Sequence, residues 1–231
     1  MKPRFYSNIY WHFTGGPVSK DGSVVWHNYR CLREVKENTF LRQPKEAMEN
    51  LKNIIQTKVL QATSTEKVLE SVITDKFCCV CDIPLKDLTF HRQYYGDYGI
   101  GFNSKKIHEN FHPVLYFEPH PTKMMKTMPN QVRNVNKDIS NENIQSFLHK
   151  LGITKENPLV NFLKITHFDT DYDDTFYGER EWRCLENFRF VEQDVEAIIV
   201  PKSEVNDIQG FLKEHGYRNI SVLSWDLIEN I

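Results

Sequence analysis

REWRCLENFRFVEQDVEAIIVPKSEVNDIQGFLKEHGYRNISVLS, residues 180–224, combines short apolar segments with one amphipathic segment. Short apolar segments bounded by polar or turn residues predict strands at 180–185, 195–200 and 220–224. Apolar residues three and four positions apart predict a helix at 203–215. Strands therefore outnumber helices here, and two of them follow each other with no helix between.

The rest of the chain continues this mixture of elements. Strands are predicted at residues 9–14, 77–83, 98–102, 113–118 and 162–166. Helices are predicted at residues 44–59, 66–73 and 141–151. Because the elements come in mixed order, we expect an α+β fold with a bent antiparallel or mixed sheet and flanking helices, not a doubly wound parallel sheet.

The composition is that of a globular protein with no strong charge. The 231 residues include 29 Lys and Arg against 31 Asp and Glu, a net charge of −2, so no overall positive field favours nucleic acid. A chain of this length can bury roughly 70 % of its surface in one core, and we expect a single domain over residues 1–231. No apolar run approaches the roughly 20 residues of a membrane span, so no membrane partner is expected.

The cysteines and acidic residues do not have the spacing of a metal site. The five cysteines are an odd number and three lie close together, which suits a reducing compartment and predicts a cytoplasmic location. Cys78-x-x-Cys81 lacks a second pair of zinc ligands. Asp169-x-Asp171-x-Asp173 lacks the glycine and the final acid of a calcium loop. No metal is therefore expected.

FYGEREWR, residues 176–183, places two carboxylates close together. In an extended strand, residues two apart share a face, so Glu179 and Glu181 would line one surface. Two close carboxylates raise the pKa of at least one member, which suits an acid or base working near neutral pH. The alternative is a solvated salt-bridge cluster with a basic residue. The candidates for that residue are Arg180, Arg183 and Lys164.

A second candidate group ends the first predicted strand. His12 and Thr14 lie two residues apart, ahead of Gly15 and Gly16, so both would face the same side at a loop mouth. Such a pair can hold ribose hydroxyls or a phosphate. The alternative is a hydrogen-bonded structural histidine.

HRQYYGDYGIGF, residues 91–102, is rich in tyrosine and glycine. The glycines would let the backbone approach a ligand closely, while Tyr95, Tyr98 and the ring of His91 would supply stacking surfaces for a flat heterocycle. The alternative is a tyrosine-rich turn that leads into a strand. We expect this segment to contribute to a binding site.

Four blocks of the sequence are distinctive: CDIPL at 81–85, His91 with YGDYGIGF at 95–102, PVLY at 113–116 and YGEREWR at 177–183. Together they resemble the AbiGi family of abortive phage-resistance proteins. The resemblance covers most of the chain from about Tyr10 onward. It implies a role as the antitoxin half of a bacterial toxin–antitoxin pair, with a toxin as partner protein.

The order of three residue types is similar to that of His-Tyr-Glu ADP-ribosyltransferases, including those that act in phage defence. This resemblance implies NAD as substrate and an ADP-ribosyltransferase-like fold. It implies that His12 holds the adenosine-side ribose and that Tyr95 or Tyr98 stacks on nicotinamide. Glu181 would lie beside the nicotinamide ribose, and Glu179 would orient or deprotonate the acceptor.

The sequence leaves three functions open. The protein is a mono-ADP-ribosyltransferase that modifies a protein or nucleic-acid acceptor, a non-catalytic antitoxin that neutralises a toxin by binding, or a transferase-like scaffold without activity. Scattered basic residues could meet phosphates of NAD or of an acceptor, although such scatter more often serves solubility. They are Lys105, Lys106, Lys123, Lys126, Arg133 and Lys137.

Overall fold

The computed structural model describes residues 7–20, 25–27, 29–69, 72–117, 156–168 and 171–230. The predicted helix at 141–151, Asp169 and four of the scattered basic residues lie outside these residues. The four are Lys123, Lys126, Arg133 and Lys137. Within the described residues the chain forms an α+β fold with a mixed sheet, as predicted.

A seven-stranded sheet organises the described residues. The order of its strands is β15-β14-β8-β1-β7-β12-β9, and all neighbours are antiparallel except β14 and β15. Its strands are β1 (Ile9–Phe13), β7 (Cys78–Cys81), β8 (Gly99–Asn103), β9 (His112–Pro113), β12 (Glu181–Cys184), β14 (Val195–Val200) and β15 (Ser221–Ser224).

The described residues also form four two-stranded sheets. Their strands are β2 (Pro17–Ser19) with β3 (Thr39–Leu41), β4 (Val59–Leu60) with β13 (Phe188–Arg189), β5 (Lys67–Leu69) with β6 (Val72–Ile73), and β10 (Leu115–Phe117) with β11 (Leu163–Ile165). The β10–β11 pair is parallel and the others are antiparallel.

The helices within the described residues are short except for one. They are α1 (Leu32–Asn38), α2 (Pro44–Thr57), α3 (Leu88–Tyr95), α4 (Ser104–Asn110), α5 (Val205–Glu214) and α6 (Trp225–Ile228). In α2 the buried residues are Ala47, Met48, Leu51 and Ile55, the three-and-four spacing that predicted the helix. Pro44 begins α2, where its missing N–H removes no hydrogen bond.

The two faces of the large sheet contribute to different cores. Tyr10 and Val80 pack in a core with α2 and α5, whereas Trp11 and Cys81 pack in a core with Trp225 of α6. Alternate residues of β1 thus point to opposite faces, as strand geometry requires.

Some predicted elements differ from the structure. Within the range 66–73, predicted as a helix, Lys67–Leu69 and Val72–Ile73 form the antiparallel strands β5 and β6. Val68 is buried against Val160, Leu163 and Ile165, so tertiary packing outweighs the local preference for a helix. The tyrosine-rich segment begins with α3 rather than with a turn, and the predicted strand 113–118 is divided between β9 and β10.

Candidate functional site

A cavity of about 400 Å³ lies beside β1 and β7 and is also lined by residues of α2, α3 and the turn before β12. Cavities of roughly 300–1,000 Å³ hold most small ligands. The predicted site residues that line it are His12, Thr14, His91, Tyr95, Glu179 and Glu181. Residues from the beginning, middle and end of the chain therefore converge on one cavity.

The two acidic residues reach the cavity through a turn rather than an extended strand. Residues Tyr177–Glu179 form a 3-10 turn, and Arg180 adopts the left-handed conformation with φ 46° before β12 begins at Glu181. The guanidinium of Arg180 donates to Oδ2 of Asp82 at 2.8 Å, which anchors the turn. Glu179 thus lies in a turn just before the strand, and the two carboxylates still lie close together, as the sequence predicts.

A buried lysine joins the two carboxylates. Nζ of Lys164 donates to Oε2 of Glu179 at 2.8 Å and to Oε2 of Glu181 at 3.1 Å. All three side chains are buried, so the cluster is not the solvated one considered as an alternative. Lys164 lies on β11, outside the large sheet.

Arg183 completes the cluster on the other side of Glu181. Its Nε donates to Oε1 of Glu181 at 2.8 Å, and its Nη2 donates to Oε2 at 3.1 Å and to Glu66. Its Nη1 donates to the carbonyl oxygen of Asn161 at 3.0 Å. The buried cluster thus contains three carboxylates and two cations: Glu66, Glu179 and Glu181 with Lys164 and Arg183.

The surroundings move the pKa values of the two acids apart. Burial raises the pKa of Glu179, and the nearby charge of Glu181 adds to this while Lys164 opposes it. Burial also acts to raise the pKa of Glu181, but the charges of Arg183 and Lys164 outweigh it and lower this pKa to about 2. Glu181 is therefore the permanent anion, and Glu179 takes up a proton more readily.

An aromatic stack forms another wall. The ring of Tyr95 lies between His91, with ring centroids 4.2 Å apart, and Trp26, with centroids 5.9 Å apart. The hydroxyl of Tyr95 donates to Oε1 of Glu179. Burial and the charge of Lys164 lower the pKa of His91 to about 3, so this ring is neutral near pH 7.

His12 lies where β1 and β7 cease to pair. In the register of these strands, Trp11 is opposite Cys81. His12 follows Trp11 on β1, and its Nδ1 hydrogen-bonds the carbonyl oxygen of Cys79 at 2.9 Å. Burial lowers the pKa of His12 and outweighs the effect of this bond, so the ring is neutral near pH 7. A neutral ring that donates from Nδ1 keeps Nε2 as an acceptor.

Two of the predicted ligand residues have structural partners. The hydroxyl of Thr14 donates to the carbonyl oxygen of Ala47 at 2.7 Å and ties α2 to the end of β1. Tyr98 is not among the residues that line the cavity. It is buried in the core with α2, and its hydroxyl donates to Oε1 of Glu204 at 2.8 Å, so Tyr95 is the tyrosine at the cavity.

Two contributors to the cavity are not predicted from the sequence in these roles. The sequence predicts Lys164 only as a partner in a solvated salt-bridge cluster, although a charged residue inside the apolar run at 162–165 is a signal for a buried counter-charge. The sequence around Trp26 does not indicate that this residue lines a binding site, because its position against Tyr95 depends on the tertiary fold. Lys105 and Lys106 lie on α4 and are not among the cavity-lining residues.

Two further features concern the described residues: clusters of metal ligands and long apolar helices. No group of three or more His, Cys, Asp or Glu side chains is arranged to hold a metal ion there. None of the helices in that part of the chain has the length and apolar character needed to cross a membrane.

The fold and the site together define a class of protein: an α+β protein with a buried acid pair that faces a cavity. Residues 48–219 match the family model described as "Putative abortive phage resistance protein AbiGi, antitoxin". The chain therefore belongs to the AbiGi family of abortive phage-resistance proteins, as its sequence blocks indicated. No curated protein and no solved structure matches it, and the likeness to ADP-ribosyltransferases stays a prediction.

Proposed function

We propose that this AbiGi protein is an antitoxin that binds NAD in the cavity and transfers ADP-ribose to a macromolecular acceptor. The observation that carries the proposal is the acid pair, with Glu181 held as an anion and Glu179 favoured to accept a proton, in one cavity with His12 and Tyr95. A toxin, or the molecule a toxin acts on, is the acceptor we expect for an antitoxin.

The reaction assigns a different task to each acid. The bond between nicotinamide and ribose breaks, its electron pair leaves with nicotinamide, and the ribose develops cationic character. A fixed carboxylate next to the ribose stabilises that cation, as in glycoside hydrolysis. The acceptor's nucleophile then bonds to the same carbon, and its proton passes to Glu179.

Glu181 retains room for a ribose hydroxyl despite its ion pairs. A carboxylate has about four acceptor positions, and those of Glu181 receive Nε and Nη2 of Arg183 and Nζ of Lys164. One position therefore stays open to a donor from the cavity. Nε2 of His12 supplies an acceptor for a second ribose hydroxyl.

The proposal assigns the contact with nicotinamide to Trp26 and not to Tyr95 or Tyr98. The ring of Tyr95 already stacks on His91 and Trp26, with ring centroids 4.2 and 5.9 Å away. Trp26 also has Nζ of Lys164 over its ring, but it lines the cavity and is partly exposed. We therefore propose that the exposed part of Trp26 contacts nicotinamide and that Tyr95 positions Glu179 through its hydroxyl.

Calorimetric titration of the purified protein with NAD tests binding first. We expect NAD to bind and to raise the melting temperature, and Glu181→Gln to retain binding while nicotinamide release falls by at least about 100-fold, the size typical of losing one electrostatic contact. Glu196→Gln, at an exposed position on β14, is the matched control and should behave like the unaltered protein. Absence of NAD binding would remove the proposal.

A second candidate is neutralisation of a toxin by direct contact, without catalysis. The observation that favours it is that both acids already have buried partners, as in a structural ion-pair cluster. The test is co-expression with a toxin encoded beside the protein. Equal protection by the unaltered protein and Glu181→Gln, with co-purification of the toxin, would support contact rather than transfer.

A further inference from the structure

Two cysteines oppose each other on neighbouring strands, away from the acid pair. Cys184, the last residue of β12, is in register with Cys78, the first residue of β7. Directly opposed residues of antiparallel strands have Cα atoms about 4.5–5.5 Å apart, and disulfides span about 4.4–6.8 Å. The backbone therefore places the two thiols where they can be bridged.

The two thiols differ in accessibility. Cys184 is partly exposed, whereas Cys78 is buried and donates from Sγ to the carbonyl oxygen of Glu186 at 3.5 Å. Redox-sensitive pairs have this arrangement: one reachable thiol and one resolving thiol beside it.

Hydrogen bonding distinguishes Cys184 from the other cysteines. The Cys78 thiol lowers the pKa of Cys184 to about 6, and the backbone N–H of Glu186 contributes while burial and the charge of Glu186 oppose this. The same contact between the two thiols, together with burial, raises the pKa of Cys78 well above its ordinary value. Burial raises the pKa of Cys31, Cys79 and Cys81. Cys79 is also partly exposed, so exposure alone does not select the reactive thiol.

We propose that Cys184 and Cys78 form a thiol–disulfide modification site that reacts with low-molecular-weight disulfides such as oxidised glutathione. The Cys184 thiolate attacks one sulfur, forms a mixed disulfide and releases one thiolate. Cys78 then loses its proton, attacks Sγ of Cys184 and releases the second thiolate, which takes up a proton. The two protein thiols are oxidised, and the reagent is reduced to two thiols.

The bridge would join strands that form the cavity wall. The β7–β12 pair also holds Glu181 opposite Cys81, three residues from the Cys184–Cys78 pair. Oxidation would thus tie the strand that carries Glu181 to its neighbour. Cys78 also lines the cavity, but neither cysteine takes part in the proposed NAD reaction, so the test of this site does not need NAD.

The test is incubation of the full-length protein with excess oxidised glutathione near pH 7, followed by thiol counting, intact mass and peptide mapping. We expect loss of two thiols, no retained glutathione and a linked peptide pair containing Cys78 and Cys184. Cys78→Ser should stop at glutathione on Cys184, Cys184→Ser should not react, and Cys79→Ser should behave like the unaltered protein.

Other results would overturn the proposal: five thiols retained, glutathione left on Cys184 of the unaltered protein, or full reaction of Cys184→Ser. Iodoacetamide labelling of the unaltered protein gives a reading that needs no variant to fold. We expect Cys184 to be alkylated at least about tenfold faster than Cys79. Equal rates, or another cysteine reacting first, would contradict the assignment.

Discussion

Nζ of Lys164 lies 2.8 Å from Oε2 of Glu179, and both side chains are buried. The pair is thus a charge contact that water does not screen. Removing one partner of a buried ion pair leaves an uncompensated charge and costs more than the pair itself contributes. The first prediction follows from this asymmetry.

Lys164→Met is expected to lower the free energy of unfolding by about 3–5 kcal/mol, as measured by urea denaturation. Lys202→Met is the control, because Lys202 forms an exposed pair with Asp226 at 3.1 Å; such pairs contribute about 0–1 kcal/mol. Equal stability of Lys164→Met and the unaltered protein would show that the buried carboxylates do not need the charge of Lys164.

Acid should destabilise the protein partly through Glu181. Its pKa is about 2 in the folded protein against an ordinary 4.5, so its contribution is present above pH 4.5 and is lost as the pH falls through 2. In urea unfolding at several pH values, Glu181→Gln should therefore lose less stability than the unaltered protein between these limits. Parallel curves would contradict the assignment.

Glu179 should show the opposite sign. Its pKa is raised in the folded protein, so its contribution is present below its ordinary pKa and is lost as the pH rises through the folded value. Glu179→Gln keeps an uncharged side chain at every pH. Its stability relative to the unaltered protein should therefore increase as the pH rises above about 4.5, and a relative decrease would refute the raised pKa.

Tyr95 and Tyr98 should differ in their effect on NAD turnover. Tyr95→Phe removes the hydroxyl that donates to Glu179, and we expect a fall in nicotinamide release of about tenfold or more. Tyr98→Phe removes a hydrogen bond to Glu204 that lies away from the cavity, and turnover should be unchanged. Greater damage from Tyr98→Phe would show that the wrong tyrosine has been placed at the site.

Two glycines provide a matched test of packing. A Cβ on Gly101 in β8 would lie 2.5 Å from Cγ2 of Ile9 and 2.8 Å from Cζ3 of Trp11, so Gly101→Ala should destabilise by about 1–3 kcal/mol. Gly210, inside α5, has no atom within 4 Å of such a Cβ. Gly210→Ala should stabilise by about 0.5–1 kcal/mol. Thermal unfolding measures both, and equal effects would contradict the packing of β8 on β1.

Local pattern was sufficient to predict much of the fold. The spacing of apolar residues predicted α2, and the apolar run at 195–200, interrupted by Glu196, predicted β14 with its observed bounds. The β5–β6 pair was not predictable in this way, because Val68 meets Val160 and Leu163 only after distant parts of the chain come together.

The site was predictable in composition but not in geometry. His12, Tyr95, Glu179 and Glu181 were identified from residue type and order, and they line one cavity. The turn that brings Glu179 beside Glu181 depends on Arg180 at positive φ, which few residues other than glycine adopt. The buried counter-charge of Lys164 comes from a strand that the sequence does not place next to the acids.

Lys164 belongs to the small β10–β11 sheet, whereas Glu181 belongs to the large one and Glu179 to the turn that leads into it. A buried ion-pair cluster therefore connects the two sheets. Any force that moves the small sheet away must either expose Glu179 and Glu181 to water or leave their buried carboxylates without the counter-charge of Lys164. A mechanical force on β11 and proton uptake at Glu179 should therefore both weaken the contact between the two sheets.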